Sequence, residues 1–240
     1  MRSVQMSQLA AHPKPSLAVD LAILTVADGT LKAVLVPRGD GAVVGGDRAM
    51  PGGFVHLGES PEQAVRRVLH DKTGLDGVHF EQLATYGAPD RDPRGHVVSI
   101  VYLAVVPAGR LLPLIAGKPG LSLAGIAVDW PGETGGPATA LDDEGAALPL
   151  AFDHAAILGD VVKRLRGKLD YTPIGFAFLP RLFTLRQAQE VHEAILGRRL
   201  AKPAFRRKLA DRHPIAATGK FEAPGAFRPA ELYELKPASE

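Results

Sequence analysis

The stretch GFVHLGESPEQAVRRVLHDKTGL, Gly53 to Leu75, decides how this chain folds. Ser60, Pro61 and Gln63 spell a helix start: a hydroxyl N-cap, a proline at the first helical position, and a glutamine placed to complete a capping box. Ala64, Val65, Val68 and Leu69 then recur at helical spacing as one apolar stripe. Gly74 supplies a left-handed stop. Pro51-Gly52-Gly53 interrupts regular structure just ahead. The stretch therefore predicts a short helix held between two loops.

Outward from it, the flanking sequence reads as sheet. Ala18–Thr25 and Leu31–Pro37 are apolar, strand-like runs around an Ala-Asp-Gly turn, which predicts a hairpin. Glu81–Tyr86 and His96–Val106 are two further strands on either side of the polar loop GAPDRDPRG. The second is rich in β-branched residues and is expected inside the sheet. Within the Gly, Pro and Ala-rich residues 111–151, Gly125–Trp130 reads as a strand and PGETGGPATALDDEGA as a mobile loop. Asp153 is placed to cap a helix carrying Leu158, Val161, Val162, Leu165 and Leu169 on one face. These elements predict a first module over residues 18–169, preceded by a flexible lead over residues 1–17 that lacks the apolar core of a signal peptide.

Residues 170–240 read as a second module of different character. Thr184 and Gln187 form another capping box, ahead of a helix with Leu185, Ala188, Val191, Ile195 and Leu196 on its inner side and Gly197 at its end. Pro203 begins a second helix, in which Phe205 and Leu209 are anchors and Arg206, Arg207 and Lys208 lie between them. Ile215–Thr218 and Ala230–Leu235 flank the tip GKFEAPGAFRP, giving strand, turn and strand. Helix, turn, basic helix and hairpin describe a winged helix-turn-helix, whose second helix enters the major groove of double-stranded DNA. The DNA-contact candidates are Thr184, Lys202, Arg206, Arg207, Lys208, Lys220 and Arg228.

Charge agrees with this division. Residues 1–160 hold 12 Lys+Arg against 18 Asp+Glu, and residues 161–240 hold 16 against 8. Segregation of that kind separates partners, and the basic end is the one suited to a polyanion. The absence of cysteine excludes disulfides and Cys-based zinc sites and fits a reducing cytoplasm. No apolar run reaches the roughly 18 residues of a membrane span.

Gly53, Glu59, Arg67, Leu69, Gly74 and Leu75 fall in register with the Nudix box, G-x5-E-x7-R-E-U-x-E-E-x-G-U, which Gly53–Leu75 resembles. The resemblance implies an α+β architecture: the Nudix fold, a mixed sheet between helices, followed here by the winged helix. In that family three glutamates stand at the positions of Val68, Asp71 and Lys72. Carboxylates on one helix face grip hard cations such as Mg²⁺, which neutralise phosphate and activate water. Only Asp71 remains acidic here. Weak or absent hydrolysis is expected, with no catalytic residue and no required metal. Glu59 and Asp71 are the residual metal candidates, Glu59 being expected to pair with Arg67 as a brace.

The box, the loop PDRDPRG, the run ending YLAVV, the later PLAFDHAAIL, and FTLRQAQEVHEAILG followed by FRRKL together resemble the Nudix-related transcriptional regulators of NAD metabolism, the NrtR-like family. That resemblance implies a homodimeric repressor of NAD biosynthesis or salvage genes on a palindromic operator, with ADP-ribose or a related NAD derivative as effector. It makes Arg91 and Arg94 ligand candidates, with Asp92, Gly53, Phe54 and Arg38 around them. Ligand is expected to act through the segment Tyr171–Pro180, by changing the spacing of the two recognition helices. Two alternatives are a Mg²⁺-dependent Nudix pyrophosphohydrolase of the ADP-ribose type with a C-terminal extension, and a DNA-binding protein whose Nudix domain is only a dimerisation scaffold.

Overall fold

A computed structural model describes residues 12–38, 46–213, 215–223 and 229–236. Residues 1–11 of the lead read over residues 1–17, and the wing candidate Arg228, lie outside these described residues.

The predicted hairpin is strands β1 (Ser16–Ala27) and β2 (Thr30–Pro37), joined through Asp28 at φ 52° and Gly29 at φ 70°. Two successive left-handed residues are what a tight hairpin turn demands, and Asp-Gly is among the pairs that tolerate them. β1 then pairs in parallel with β6 (Val97–Val105), while β5 (Phe80–Tyr86) pairs antiparallel with β6 and β7 (Ser122–Ala127) antiparallel with β2. The sheet runs β5-β6-β1-β2-β7 and continues through β8 (Thr139–Leu141) and β9 (Ala147–Leu148). The two short strands β3 (Arg48–Ala49) and β4 (Gly52–Phe54) pair with β2 and β1. This is the expected mixed sheet, with the β-branched strand β6 inside it.

Helices cover both faces, so β1 is apolar on both and reads as a continuous run. Its Val19, Leu21 and Ile23 pack against Ala64, Val65 and Val68 of α1 (Pro61–Val68) and Leu111 of α2 (Ala108–Ala116). Its Ala22 and Leu24 point the other way. They join Leu158, Val161 and Leu165 of α3 (His154–Lys168), Val191 and Ile195 of α4 (Leu185–Leu196), and Phe205 and Leu209 of α5 (Lys202–Arg212). Each such Val, Leu, Ile or Phe side chain contributes about 1.5–3 kcal/mol on full burial. The C-terminal helices are thus built into the core that backs the sheet.

Arg166 ties the same layer together. Buried on α3, it donates to the carbonyl of Ile195 in the last turn of α4 at 3.0 Å, and to those of Trp130 at 3.2 Å and Gly132 at 2.9 Å. Its guanidinium lies 4.9 Å from the Trp130 ring centroid. Burial pushes its pKa down; the negative end of the α4 dipole and the carbonyl oxygens offset that cost.

Three expectations change. The predicted helix is α-helical only to Val68; Leu69–Thr73 is wound as a π-turn, and Gly74 closes it at φ 74°. Thr73 holds the widened turn by donating to the Leu69 carbonyl at 2.6 Å and accepting from the Leu75 amide at 3.2 Å. Residues 68, 71 and 72 therefore do not form one continuous helix face. Second, the stretch read as a mobile loop contains β8, and the Asp142 carboxylate closes the turn after it by accepting from the amides of Glu144 and Ala146. The strand read at 125–130 lies at 122–127, and α2 carries an internal Pro113 that masked it. Third, Asp153 sits at the N-cap of α3 but makes no capping hydrogen bond. Among the described residues no helix is long and apolar enough to cross a membrane.

Candidate functional site

A cleft of about 530 Å³ opens between β1, β2, β4, the 87–95 loop and the start of α3. Arg38, Gly53, Phe54, Arg91, Asp92 and Arg94 all line it, as do Lys72, Phe152 and His154, which the sequence does not single out as ligand residues.

The two loop arginines take different positions. Arg91 has a side chain only 4% exposed, and its guanidinium grips the Asp153 carboxylate at 2.7 and 2.9 Å with Asp20 at 3.5 Å. Burial opposes its charge, but the hydrogen bonds and attraction from Asp153 and then Asp20 outweigh it and raise its pKa. Arg91 thus lines the cleft as a buried, ion-paired side chain, and the Asp153 side chain pairs with it in place of making a capping hydrogen bond. Arg94 is 61% exposed and pairs at 2.7 Å with the buried Asp92. That hydrogen bond chiefly holds Asp92 below the usual carboxylate range.

Phe152 provides a platform. Its backbone adopts φ 57°, and its ring carries the guanidiniums of Arg38 at 4.4 Å and Arg94 at 5.5 Å from the centroid. A left-handed phenylalanine has no sequence signature, which is why its placement is not readable from the chain. His154 beside it is buried. Its Nδ1 accepts from the Met50 amide at 3.0 Å, so the proton sits on Nε2, which has no hydrogen-bond partner and lies 3.8 Å from Asp20 Oδ1. Burial depresses its pKa and keeps it neutral.

The Nudix-box residues do not fit a divalent cation. Glu59 accepts two hydrogen bonds from Arg67 at 2.8 Å and one from the His56 amide at 2.9 Å. Arg67, then His56, lowers its carboxyl to about 2. Arg67 also donates to the Phe54 carbonyl at 2.9 Å, so the pair braces the loop against α1 as expected. Val68 is buried in the apolar cluster, Asp71 does not line the cleft, and Lys72 brings positive charge to its wall. Among the described residues no three His, Asp or Glu side chains are placed to hold an ion.

The second site is the exposed face of α5. Phe205 and Leu209 are buried anchors, as read from their spacing, and Lys202, Arg206 and Arg207 are exposed and form no ion pair among the described residues. Lys208 departs from expectation: its ammonium reaches back to Asp170 at 2.5 Å, where Arg212 also approaches at 3.5 Å. Thr184 is buried, and its hydroxyl accepts from the Gln187 amide at 3.2 Å, so it starts α4 instead of facing a phosphate. β10 (Ile215–Phe221) and β11 (Glu231–Leu235) form the wing, with Lys220 exposed. Reciprocal backbone bonds between Phe183 and Tyr233, at 3.0 and 2.7 Å, dock the wing to the start of α4.

Two buried histidines set an acid limit. His154 in the cleft and His192 in α4 both have pKa values lowered by burial. The unfolded chain takes up these protons near pH 6.5 while the fold resists them, so stability is full above that value and falls as pH drops below it. Unfolding free energy is expected to decline by up to about 1.4 kcal/mol per pH unit for each histidine in this window. Denaturant melts between pH 7.5 and 5.5 check it, and His192→Gln is expected to flatten the slope.

Residues 15–120 match the NUDIX domain and residues 175–235 match the NrtR DNA-binding winged helix domain. The ADPR responsive transcriptional repressor NtrR of Acinetobacter baylyi is 32% identical over 230 residues, 95% of this chain and 85% of that protein. An ADP-ribose pyrophosphatase of Methanocaldococcus jannaschii is 51% identical over 63 residues, 26% of this chain and 37% of that protein. The crystal structure of Shewanella oneidensis NrtR complexed with a 27mer DNA aligns with a TM-score of 0.73 at 32% identity, covering 92% of this chain and 93% of that one. With a Nudix sheet and cleft, a basic helix backed by a wing, and likeness running through both, the chain belongs to the NrtR family of Nudix-related transcriptional regulators.

Proposed function

We propose that this protein is a homodimeric transcriptional repressor of NAD biosynthesis or salvage genes, released from its operator by ADP-ribose or a related NAD derivative. We assign sensing to residues 18–169 and DNA reading to residues 170–240, in the cytoplasm. The observation that carries this reading is α5: Phe205 and Leu209 anchor it, and Lys202, Arg206 and Arg207 project from it unpaired among the described residues. Two such helices related by a two-fold axis read a palindrome. Ligand relieves repression only by binding the DNA-incompatible arrangement better than the DNA-bound one. Arg166 supports a route between the halves, since it joins the loop after β7 to the end of α4. Phe176, Phe178 and Leu179 of the segment Tyr171–Pro180 pack in the same core layer, and Lys208 pairs with Asp170 just ahead of that segment.

The test is a gel shift with the full chain against DNA upstream of NAD-synthesis genes, with and without ADP-ribose at fixed salt. A specific shift reversed by ADP-ribose is expected. Binding unaffected by ADP-ribose would leave the scaffold reading in its place.

We read the Nudix domain as a sensor without required Mg²⁺. A hydrolase is the second reading, favoured by the 63-residue likeness to an ADP-ribose pyrophosphatase. It predicts Mg²⁺-dependent cleavage of ADP-ribose that disappears in Asp71→Ala. The dispersal of Val68, Asp71 and Lys72 argues against it.

A further inference from the structure

The disagreement between the cleft and a metal points to what replaces the metal. We infer that the Lys72 ammonium is the fixed counter-charge for the diphosphate of the ligand, so that the cleft binds its nucleotide without a divalent cation. This rests on the reading of the cleft as a nucleotide-diphosphate site.

The other charges near the cleft have protein partners. Arg91 is committed to Asp153 and Asp20, and Arg94 to Asp92. Lys72 lines the same wall and forms no ion pair among the described residues. Val68, the last residue of α1, lies in the core, and of the π-turn residues Lys72 lines the cleft while Asp71 does not. A hard cation at that wall would meet an ammonium and no cluster of carboxylates, whereas an anionic phosphate meets a matching charge. The buried Nε2–H of His154, also on the cleft and without an acceptor, independently marks a place for a ligand oxygen. An unpaired buried donor is costly unless something fills its valence. A lysine also differs from a metal in consequence: it neutralises phosphate charge but holds no water for attack, so binding is retained while hydrolysis is not promoted.

The experiment is calorimetric titration of the full chain with ADP-ribose, and separately with inorganic pyrophosphate, each in EDTA and in MgCl₂. Wild type is expected to bind ADP-ribose with the same affinity in both buffers. Lys72→Ala is expected to weaken binding about 10- to 100-fold, the range of one charge-assisted hydrogen bond, and Lys72→Arg to keep most of it. Lys72→Glu is expected to bind poorly in EDTA and to recover in part with Mg²⁺. Lys72 is exposed, so these variants are expected to melt like wild type. The inference is overturned if wild type needs Mg²⁺ to bind, or if Lys72→Ala binds as wild type does. Pyrophosphate binding that depends on Lys72, with no ADP-ribose binding, would discard ADP-ribose as effector and keep the lysine's role. Binding of neither would discard both.

Discussion

Replacing Arg206 and Arg207 together by alanine is expected to lower operator affinity by about 100-fold or more while leaving the fold and ligand binding unchanged. The two side chains leave α5 between its buried anchors Phe205 and Leu209, so they face away from the core. Each phosphate contact removed reduces the salt slope of binding by about 1, and each lost base contact costs about 1–3 kcal/mol. A double loss therefore has a signature beyond weaker binding: a shallower dependence of log affinity on log salt, by about 2 if both touch phosphate. If one reads a base edge, the slope falls by less and discrimination between operator and random DNA falls instead. Lys208→Ala provides the contrast. Its ammonium is held by Asp170, so its removal is expected to weaken DNA binding less and to loosen the link between α5 and the end of α3. Unchanged DNA affinity in the double variant would mean that another surface meets the operator.

The range of the forces involved decides which features the sequence discloses. Capping is local, so both capping boxes, at Ser60 with Gln63 and at Thr184 with Gln187, are legible and present. The Asp28-Gly29 turn is equally local. The anchors Phe205 and Leu209 follow from helical period alone. The cleft is legible in outline, since the six ligand candidates converge on it. The roles within it are not. Nothing in Asp-Arg-Asp-Pro-Arg distinguishes a buried guanidinium from an exposed one: the difference is made by Asp153 and Asp20, 62 and 71 residues away. Phe152 and His154 escape because their contribution depends on a left-handed backbone and on a distant amide, that of Met50. Lys72 stands on the cleft wall, where the resemblance puts a metal-facing glutamate, so its place is legible, whereas the π-turn that carries it is not.

Arg91→Leu is expected to destabilise the protein by about 3 kcal/mol and to abolish ligand binding, although Arg91 need not touch the ligand. Its side chain is almost entirely enclosed, and it makes a bidentate pair with Asp153 while reaching Asp20. Removing one member of a buried pair leaves the other charge without compensation, which costs about 3–5 kcal/mol. The lower end applies here because the Asp153 side chain is 25% exposed and partly solvated. Asp20 is 13% exposed and, among the described residues, would keep the hydroxyl of Ser99, at 2.6 Å, as its hydrogen-bond partner. β1 and the start of α3, which this triad draws together across the cleft, would then separate, and Phe152 and His154 would move with α3. Arg94→Ala makes the decisive comparison. Arg94 is largely exposed and rests on Phe152, but it is also the partner of the buried Asp92, which would keep the amide of residue 94, so its loss is expected to cost less stability than that of Arg91, together with affinity. Denaturant melts and titrations on the two variants separate the roles: a larger stability loss for Arg91 than for Arg94 identifies Arg91 as the main brace. Adding Asp153→Asn to Arg91→Leu removes one stranded charge and is expected to recover part of the stability, since residues in one network do not act additively. An Arg91→Leu protein as stable as wild type would mean that the cleft is held by other contacts.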